Sequence, residues 1–389
     1  PDATALEFVA EVVPGRGADA GDHTDAQRRR RQQPLPVGVE QPGGDEDAAV
    51  KDGSHRVIPG PNTVFVIDAE GQLYGMGLNS GGSLGLSEEI TASRDLRPIF
   101  DKPVRQVASH SHTLIVTQDG ELWATGTNSH GQLGLGDMQS RFAPQLVVDD
   151  GVTKAAAGKW FSMFLKKDGT LWAMGADMAQ IVGVGESNPG GGASQYVEGR
   201  DIDRPIILAR QVTDVAACGN LAYFLKQDGS LWATGLPSSD KRPQRVADGP
   251  IRMAVGDTGV VLFVKEDGSL WSIGAGWART LGTGDKEPRT KPFRIEPKDV
   301  IDVSIYGNNA VYLKDDGTAW GMGENRRADL GLGHDREVLK PERLSIDGRP
   351  TDSVTDVWTV GAHTLILTED GQLWGMGDNY YRQLQRDPR

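Results

Sequence analysis

The chain has 389 residues, with 41 Lys and Arg against 54 Asp and Glu, a formal net charge of −13, and a single cysteine, Cys218. An acidic balance of this size argues against a large phosphate-binding surface, so nucleic acid is not an expected partner. One cysteine excludes an internal disulfide or a Cys-based zinc site, and no apolar run reaches the roughly eighteen residues of a membrane-crossing helix, so no membrane association is expected and the compartment is left open.

The first fifty or so residues stand outside the repeat and are rich in Gly, Asp, Ala, Pro and Gln; of them, 1–30 read as a disordered tail. The Arg28–Arg31 run at its end has the form of a nuclear signal or nucleic-acid arm, but in so acidic a chain a solvated tail is the preferred reading. The rest, 31–389, reads as one domain. Pro34–Val37 is a short strand candidate, and Ser54–Pro59 aligns with an inner strand of the blade that Pro34–Val37 would complete.

From there a phrase recurs seven times: EGQLYGMG, DGELWATG, DGTLWAMG, DGSLWATG, DGSLWSIG, DGTAWGMG and DGQLWGMG. Its first glycines are Gly71, Gly120, Gly169, Gly229, Gly268, Gly317 and Gly371, giving gaps of 49, 49, 60, 39, 49 and 54 residues. Such a period means a repeat architecture of propeller-blade length. Each copy has an internal order. Small-residue runs such as Val104–Ala108, Lys154–Ala157, Val212–Ala217 and Val300–Val303 supply an innermost strand. Alternating runs such as Thr113–Thr117, Met163–Leu165, Val261–Val264 and Thr364–Thr368 supply a second. An Asp-Gly turn joins it to the Leu-Trp strand. A glycine loop and a Pro-x-x-apolar step follow, at Pro144–Val147, Pro243–Val246, Pro292–Ile295 and Pro341–Leu344, and proline confines that strand to the outer edge.

The expected fold is therefore all-β: a seven-bladed β-propeller of four-stranded antiparallel blades, its ring closed by an N-terminal strand. The phrase aromatics Tyr74, Trp123, Trp172, Trp232, Trp271, Trp320 and Trp374 are expected as packing between blades. The order DG-x-L-W-x-x-G, N-x-x-G-x-L-G-x-G-D, P-x-x-V and G-x-x-H-T-L resembles the regulator of chromosome condensation repeat family, the best copies being Asn128–Asp137 with Ser111–Leu114 and Asn325–Gly333 with Ala362–Leu365. The resemblance spans roughly 54–384. It implies the propeller fold and one of several roles: nucleotide exchange on a small GTPase, light reception, or inhibition of a β-lactamase by a secreted propeller.

No catalytic motif stands out: the chain has no G-x-S-x-G, no phosphate loop and no H-E-x-x-H. His110 and His112 lie two apart and would share a strand face, the spacing of a metal pair. His112 and His363, however, hold the G-x-x-H-T position, where a ring serves as a hydrogen-bonding group, and its equivalents are Asn62, Phe161, Leu221, Val260 and Asn309. No cofactor, metal or catalytic residue is expected. Glycine pairs such as Gly134/Gly136, Gly183/Gly185 and Gly282/Gly284 read as turn chemistry.

Function in repeat proteins sits in the loops that depart from the repeat. The loops joining strands one to two and three to four open on one face, the Asp-Gly turns on the other. Counting from the last glycine of each phrase aligns Ser129 with Trp277, Arg326 and Tyr380, and the next column holds Ala278, Arg327 and Tyr381. Trp277, Arg326, Arg327, Tyr380 and Tyr381 form a candidate protein-binding rim over blades five to seven, of residue types common in interface hot spots. On the same face Trp160 and Phe161 replace small or His residues. Residues 187–204 form a loop insertion in which Tyr196 is the residue of interest. The reading that follows is a monomeric, non-enzymatic propeller binding a folded protein partner through its loop face, with nucleotide exchange on a small GTPase as the alternative.

Overall fold

The computed structural model describes residues 38–39, 56–60, 62–176, 201–234, 243–256, 259–274, 279–326, 328–346, 349–360, 363–369 and 373–377. They form seven blades in a propeller ring, antiparallel apart from one short edge strand of the first, together with a small two-stranded sheet of Ser345–Ile346 and Arg349–Pro350. Blade two is typical. Its inner strand Val104–Ser109 pairs with His112–Thr117, that with Leu122–Gly126, and that with the outer strand Arg141–Val148. The same meander recurs from Val152–Ala157 to Ile202–Ala209, Val212–Cys218 to Gln244–Asp248, Pro250–Gly256 to Arg289–Glu296 and Val300–Tyr306 to Val338–Arg343. The inner small-residue runs, the second strands and the Pro-marked outer strands all fall where the pattern predicts them.

Blades one and seven differ. Arg56–Pro59 is the inner strand of blade one, paired with Thr63–Ile67, and not a member of the last blade as its alignment suggested. Gly38–Val39 lies parallel to it on the inner edge. Among the described residues blade seven has three strands, Val354–Val360, His363–Thr368 and Leu373–Gly377; Pro34–Val37, expected as its fourth, falls outside them.

Alternation along the second strands places the largest side chains inside. Phe65, Phe161, Phe164, Phe224, Phe263, Tyr223 and Tyr312 are fully buried. The phrase tryptophans are only half-buried and cover the cores from the edge. A relay in the Asp-Gly turn fixes them. In blade four the Asp228 carboxylate accepts the Ser230 hydroxyl, which in turn accepts Trp232 Nε1 at 2.7 Å, while Lys226 lies 4.9 Å over the ring and Phe224 stacks at 6.4 Å. Thr170–Trp172, Ser269–Trp271 and Thr318–Trp320 repeat the hydroxyl-to-indole bond at 2.9, 2.7 and 3.0 Å. The turn also joins blades, because in five of the described turns the glycine carbonyl accepts the first N–H of the next inner strand, as Gly120 does from Val152 at 2.9 Å and Gly268 from Val300 at 3.0 Å; ahead of Pro250, which has no N–H, Gly229 accepts from Gly249 at 2.8 Å instead. This face is therefore regular from blade to blade.

The glycine loops join blades on the other face. A buried asparagine starts three of them: Asn79, Asn128 and Asn325 each accept a backbone N–H five residues on, at 3.0, 2.9 and 3.0 Å, and donate to carbonyls at the loop's far end. Held this way, the loop lies flat on the outer strand of the next blade. A Cβ on Gly82 would stand 2.2 Å from the Arg141 carbonyl oxygen and one on Gly131 2.6 Å from Asp203 Cα, and both glycines have positive φ. These glycines therefore permit interblade contact as well as a turn.

Candidate functional site on the loop face

The structure brings together residues from three loops at the joint of blades two and three. Trp160 stands in the short loop between inner and second strands of blade three and is half-buried. Its ring meets the His130 imidazole edge-on, centroids 5.2 Å apart, and Lys159 Nζ lies 5.2 Å from the same ring. His130 belongs to the glycine loop of blade two, and its Nδ1 is 2.7 Å from Asp201 Oδ2, just before the outer strand of blade three. Ser111 donates its hydroxyl to the Lys159 carbonyl at 2.5 Å, and the Lys159 N–H donates to Gly219 of blade four at 2.7 Å. Burial first, and the Lys159 charge second, hold His110 below the usual imidazole range. The result is an aromatic and cationic surface spanning three blades, with Trp160 braced from both sides.

Phe161 does not belong to it. The ring is fully buried as the first residue of the second strand, opposite Gly175, in the register position of His112 opposite Gly126. Alternation decides this, since one residue further along a strand turns the side chain to the other side. In blade one the same register falls on Thr63 rather than Asn62.

His112 is fully buried beneath this surface, and its Nε2 is 2.6 Å from Ser162 Oγ. By distance alone this is a Ser-His dyad. The Ser162 hydroxyl, however, donates to the Gln132 carbonyl at 2.7 Å, so its one proton is already committed. His112 therefore donates from Nε2, leaving Nδ1 as a buried acceptor without a bond. Burial pushes its pKa down to about 3. With both side chains at 0% exposure, the pair is closed to substrate and ties blade two to blade three. This is the hydrogen-bonding role expected of the G-x-x-H-T histidine.

A second cluster lies at the joint of blades five and six. Arg326, from the predicted rim, is exposed and sets its Nε 2.6 Å from Glu324. Arg279 reaches Glu324 at 3.6 Å and Glu337 at 2.7 Å, Lys286 reaches Glu337 at 2.8 Å, and Asn308 donates to Glu324 at 2.9 Å. Lys286 first and Arg279 second hold Glu337 below the usual carboxylate range. Arg279 occupies the loop position of Gly82 and Gly131 and keeps their left-handed backbone, with φ of 63°. A non-glycine residue there is strained by about 1 kcal/mol or more; its guanidinium makes the interblade contact that the glycines make through close backbone approach. Trp277, Arg327, Tyr380, Tyr381 and Tyr196 lie outside the described residues, as does 187–200 of the insertion; Ile202–Arg204 begin an outer strand.

Of the expected site residues, Trp160 and Arg326 lie in these two clusters; sequence reading did not single out their neighbours His130, Asp201, Arg279, Glu324 and Glu337. His130 shares the alignment column of Arg327 and Tyr381, so extending that column to the second copy would have found it. Asp201 gives no local signal, being 71 residues from its partner.

The repeat profile described as Regulator of chromosome condensation (RCC1) repeat matches residues 119–165 and 355–383. Similar solved structures include human WBSCR16, with a TM-score of 0.63 at 20% identity over 84% of this chain and 87% of that one. Prp20p from Saccharomyces cerevisiae, described with its binding properties to Gsp1p and histones, gives 0.62 at 19% over 82% and 80%. The structure of Kap60 bound to yeast RCC1 (Prp20) gives 0.61 at 17% over 96% and 97%. At these identities the shared property is the fold. No curated protein matches the sequence.

Proposed function

We propose that this seven-bladed propeller, two stretches of which match the regulator of chromosome condensation repeat, is a non-enzymatic binder that docks a folded protein on its loop face. The observation that carries this reading is Trp160, a large ring braced between Lys159 and His130 at a position the repeat fills with small residues. A ring prefixed in this way loses little entropy on binding, which is the character of an interface hot spot. Trp277, Arg326, Arg327, Tyr380 and Tyr381 are proposed as the continuation of this surface over blades five to seven, and Tyr196 as a contact from the insertion. The alternative, nucleotide exchange on a small GTPase, is supported by fold alone, and fold does not fix function.

The test is affinity capture from the source organism, followed by titration of the captured protein against Trp160→Ala and the double variant Trp277→Ala, Tyr380→Ala. Loss of a central aromatic is expected to weaken binding by about thirty- to several-hundred-fold. Unchanged affinity in both folded variants overturns the reading. Capture of a small GTPase whose nucleotide release the chain accelerates would establish the alternative in its place.

A further inference from the structure

Each inner strand carries one residue at a fixed register position, opposite the fifth residue of its second strand. These are Arg56, Gln106 and Lys154 in blades one to three, Asp214 and Arg252 in four and five, and Asp302 and Asp356 in six and seven. At four joints this side chain reaches forward to the next blade. Arg56 donates to the Arg105 carbonyl at 2.6 Å, and Gln106 exchanges bonds of 2.8 and 3.3 Å with the Ala155 backbone. Lys154 pairs with Asp214 at 2.5 Å and Arg252 with Asp302 at 2.9 Å. Between blades six and seven the order breaks, because Asp302 is followed by another carboxylate, Asp356. Neutral groups hold that joint: Ser304 and Thr359 hydroxyls 3.1 Å apart, the Thr359 N–H on Ser304 Oγ at 2.9 Å, and the Val354 N–H on the Gly317 carbonyl at 3.0 Å.

We propose that the joint between blades six and seven is a proton-operated seam, loosened while the Asp302 and Asp356 carboxylates are both charged and tightened when Asp302 takes a proton. Like charges on adjoining strands destabilise, and more so out of water. Burial is the main influence raising Asp302 above the usual carboxylate range; the Arg252 charge and the Val303 N–H oppose it, and the Asp356 charge adds to it. The charged groups facing Asp302 are Arg252 from blade five and Asp356 from blade seven, while its own second strand presents Leu313. The other cations on strands packed there are engaged elsewhere, Lys265 over Trp271 and Lys314 with Glu296. A raised folded-state value means that the folded chain keeps a proton the unfolded chain releases. This group's stabilisation is thus fullest in acid and falls as pH rises through the raised value.

Hydrogen exchange on the full chain tests the seam, in steps from about pH 3.5 to pH 7.5 with rates corrected for intrinsic exchange and Val260–Lys265 as internal reference. Relative to that reference, Val354–Val360 is expected to exchange on the order of fivefold faster at the higher pH. Asp356→Asn should shrink the difference and slow exchange at the higher pH, while Asp356→Glu, which keeps the charge, should retain it in full. A pH-independent ratio in the native chain, an undiminished difference in Asp356→Asn, or its loss in Asp356→Glu overturns the proposal.

Discussion

At the joint of blades two and three, Gly131 lets backbone lie on backbone, with His112 and Ser162 bonded beneath in a fully buried pair. At the joint of blades five and six, the equivalent of Gly131 is Arg279, which keeps the left-handed turn and crosses to Glu324 and Glu337 with charge. Asn128 clamps the first loop, whereas its alignment column holds Gly276 in the second. The first joint depends on shape and dry hydrogen bonds, which tolerate little change. The second depends on partly exposed ion pairs, which are individually weak and screened by salt. One repeat thus supports two kinds of contact, provided the backbone path is kept.

The largest effect expected from breaking this contrast is at Gly131. A methyl there meets the Asp203 backbone at a positive φ, so Gly131→Ala should cost about 3 kcal/mol or more, seen as a lower urea midpoint or insoluble expression. Acid probes the same joint without mutation. His112, with its pKa lowered to about 3 from 6.5, is neutral in the fold but takes a proton when unfolded. Its contribution is complete above pH 6.5 and declines as pH falls toward 3, by up to about 1.4 kcal/mol per pH unit. His112→Gln should flatten that part of the stability profile in urea titrations across pH. At the other joint, Arg279→Gly removes two ion pairs but relieves the backbone strain. The net change should stay within about 1 kcal/mol, and the variant's stability should respond less to added salt than the native chain's. Smallest is Arg326→Ala, which removes a pair whose arginine is 74% exposed; a shift under about 0.5 kcal/mol is expected.

Much of the fold was legible before any coordinates, because the Asp-Gly-x-Leu-Trp phrase marks one hairpin per blade and prolines mark the outer strands. The tryptophans were legible as packing between blades: half-buried, they cover core clusters shared by adjoining blades. In four of them Nε1 is bonded to the Ser or Thr two residues before, while Phe164, Phe224 and Tyr312 of the second strand fill the interior. Of the site, Trp160 was visible as a departure from the repeat. Phe161 beside it was misplaced because the strand starts two residues before the expected Met163, which turned its ring inward.

The sequence by itself determined the seven-blade ring, the strand order and the face on which variation collects, because these follow from local turn chemistry and a hydrophobic period of two repeated in every copy. Tertiary structure alone decided which loops meet. His130 finds Asp201 across 71 residues, Arg279 finds Glu337 across 58, and Arg252 finds Asp302 across 50. Such contacts arise from the rotation of one blade against the next, and only in the closed array do those charges and rings become neighbours.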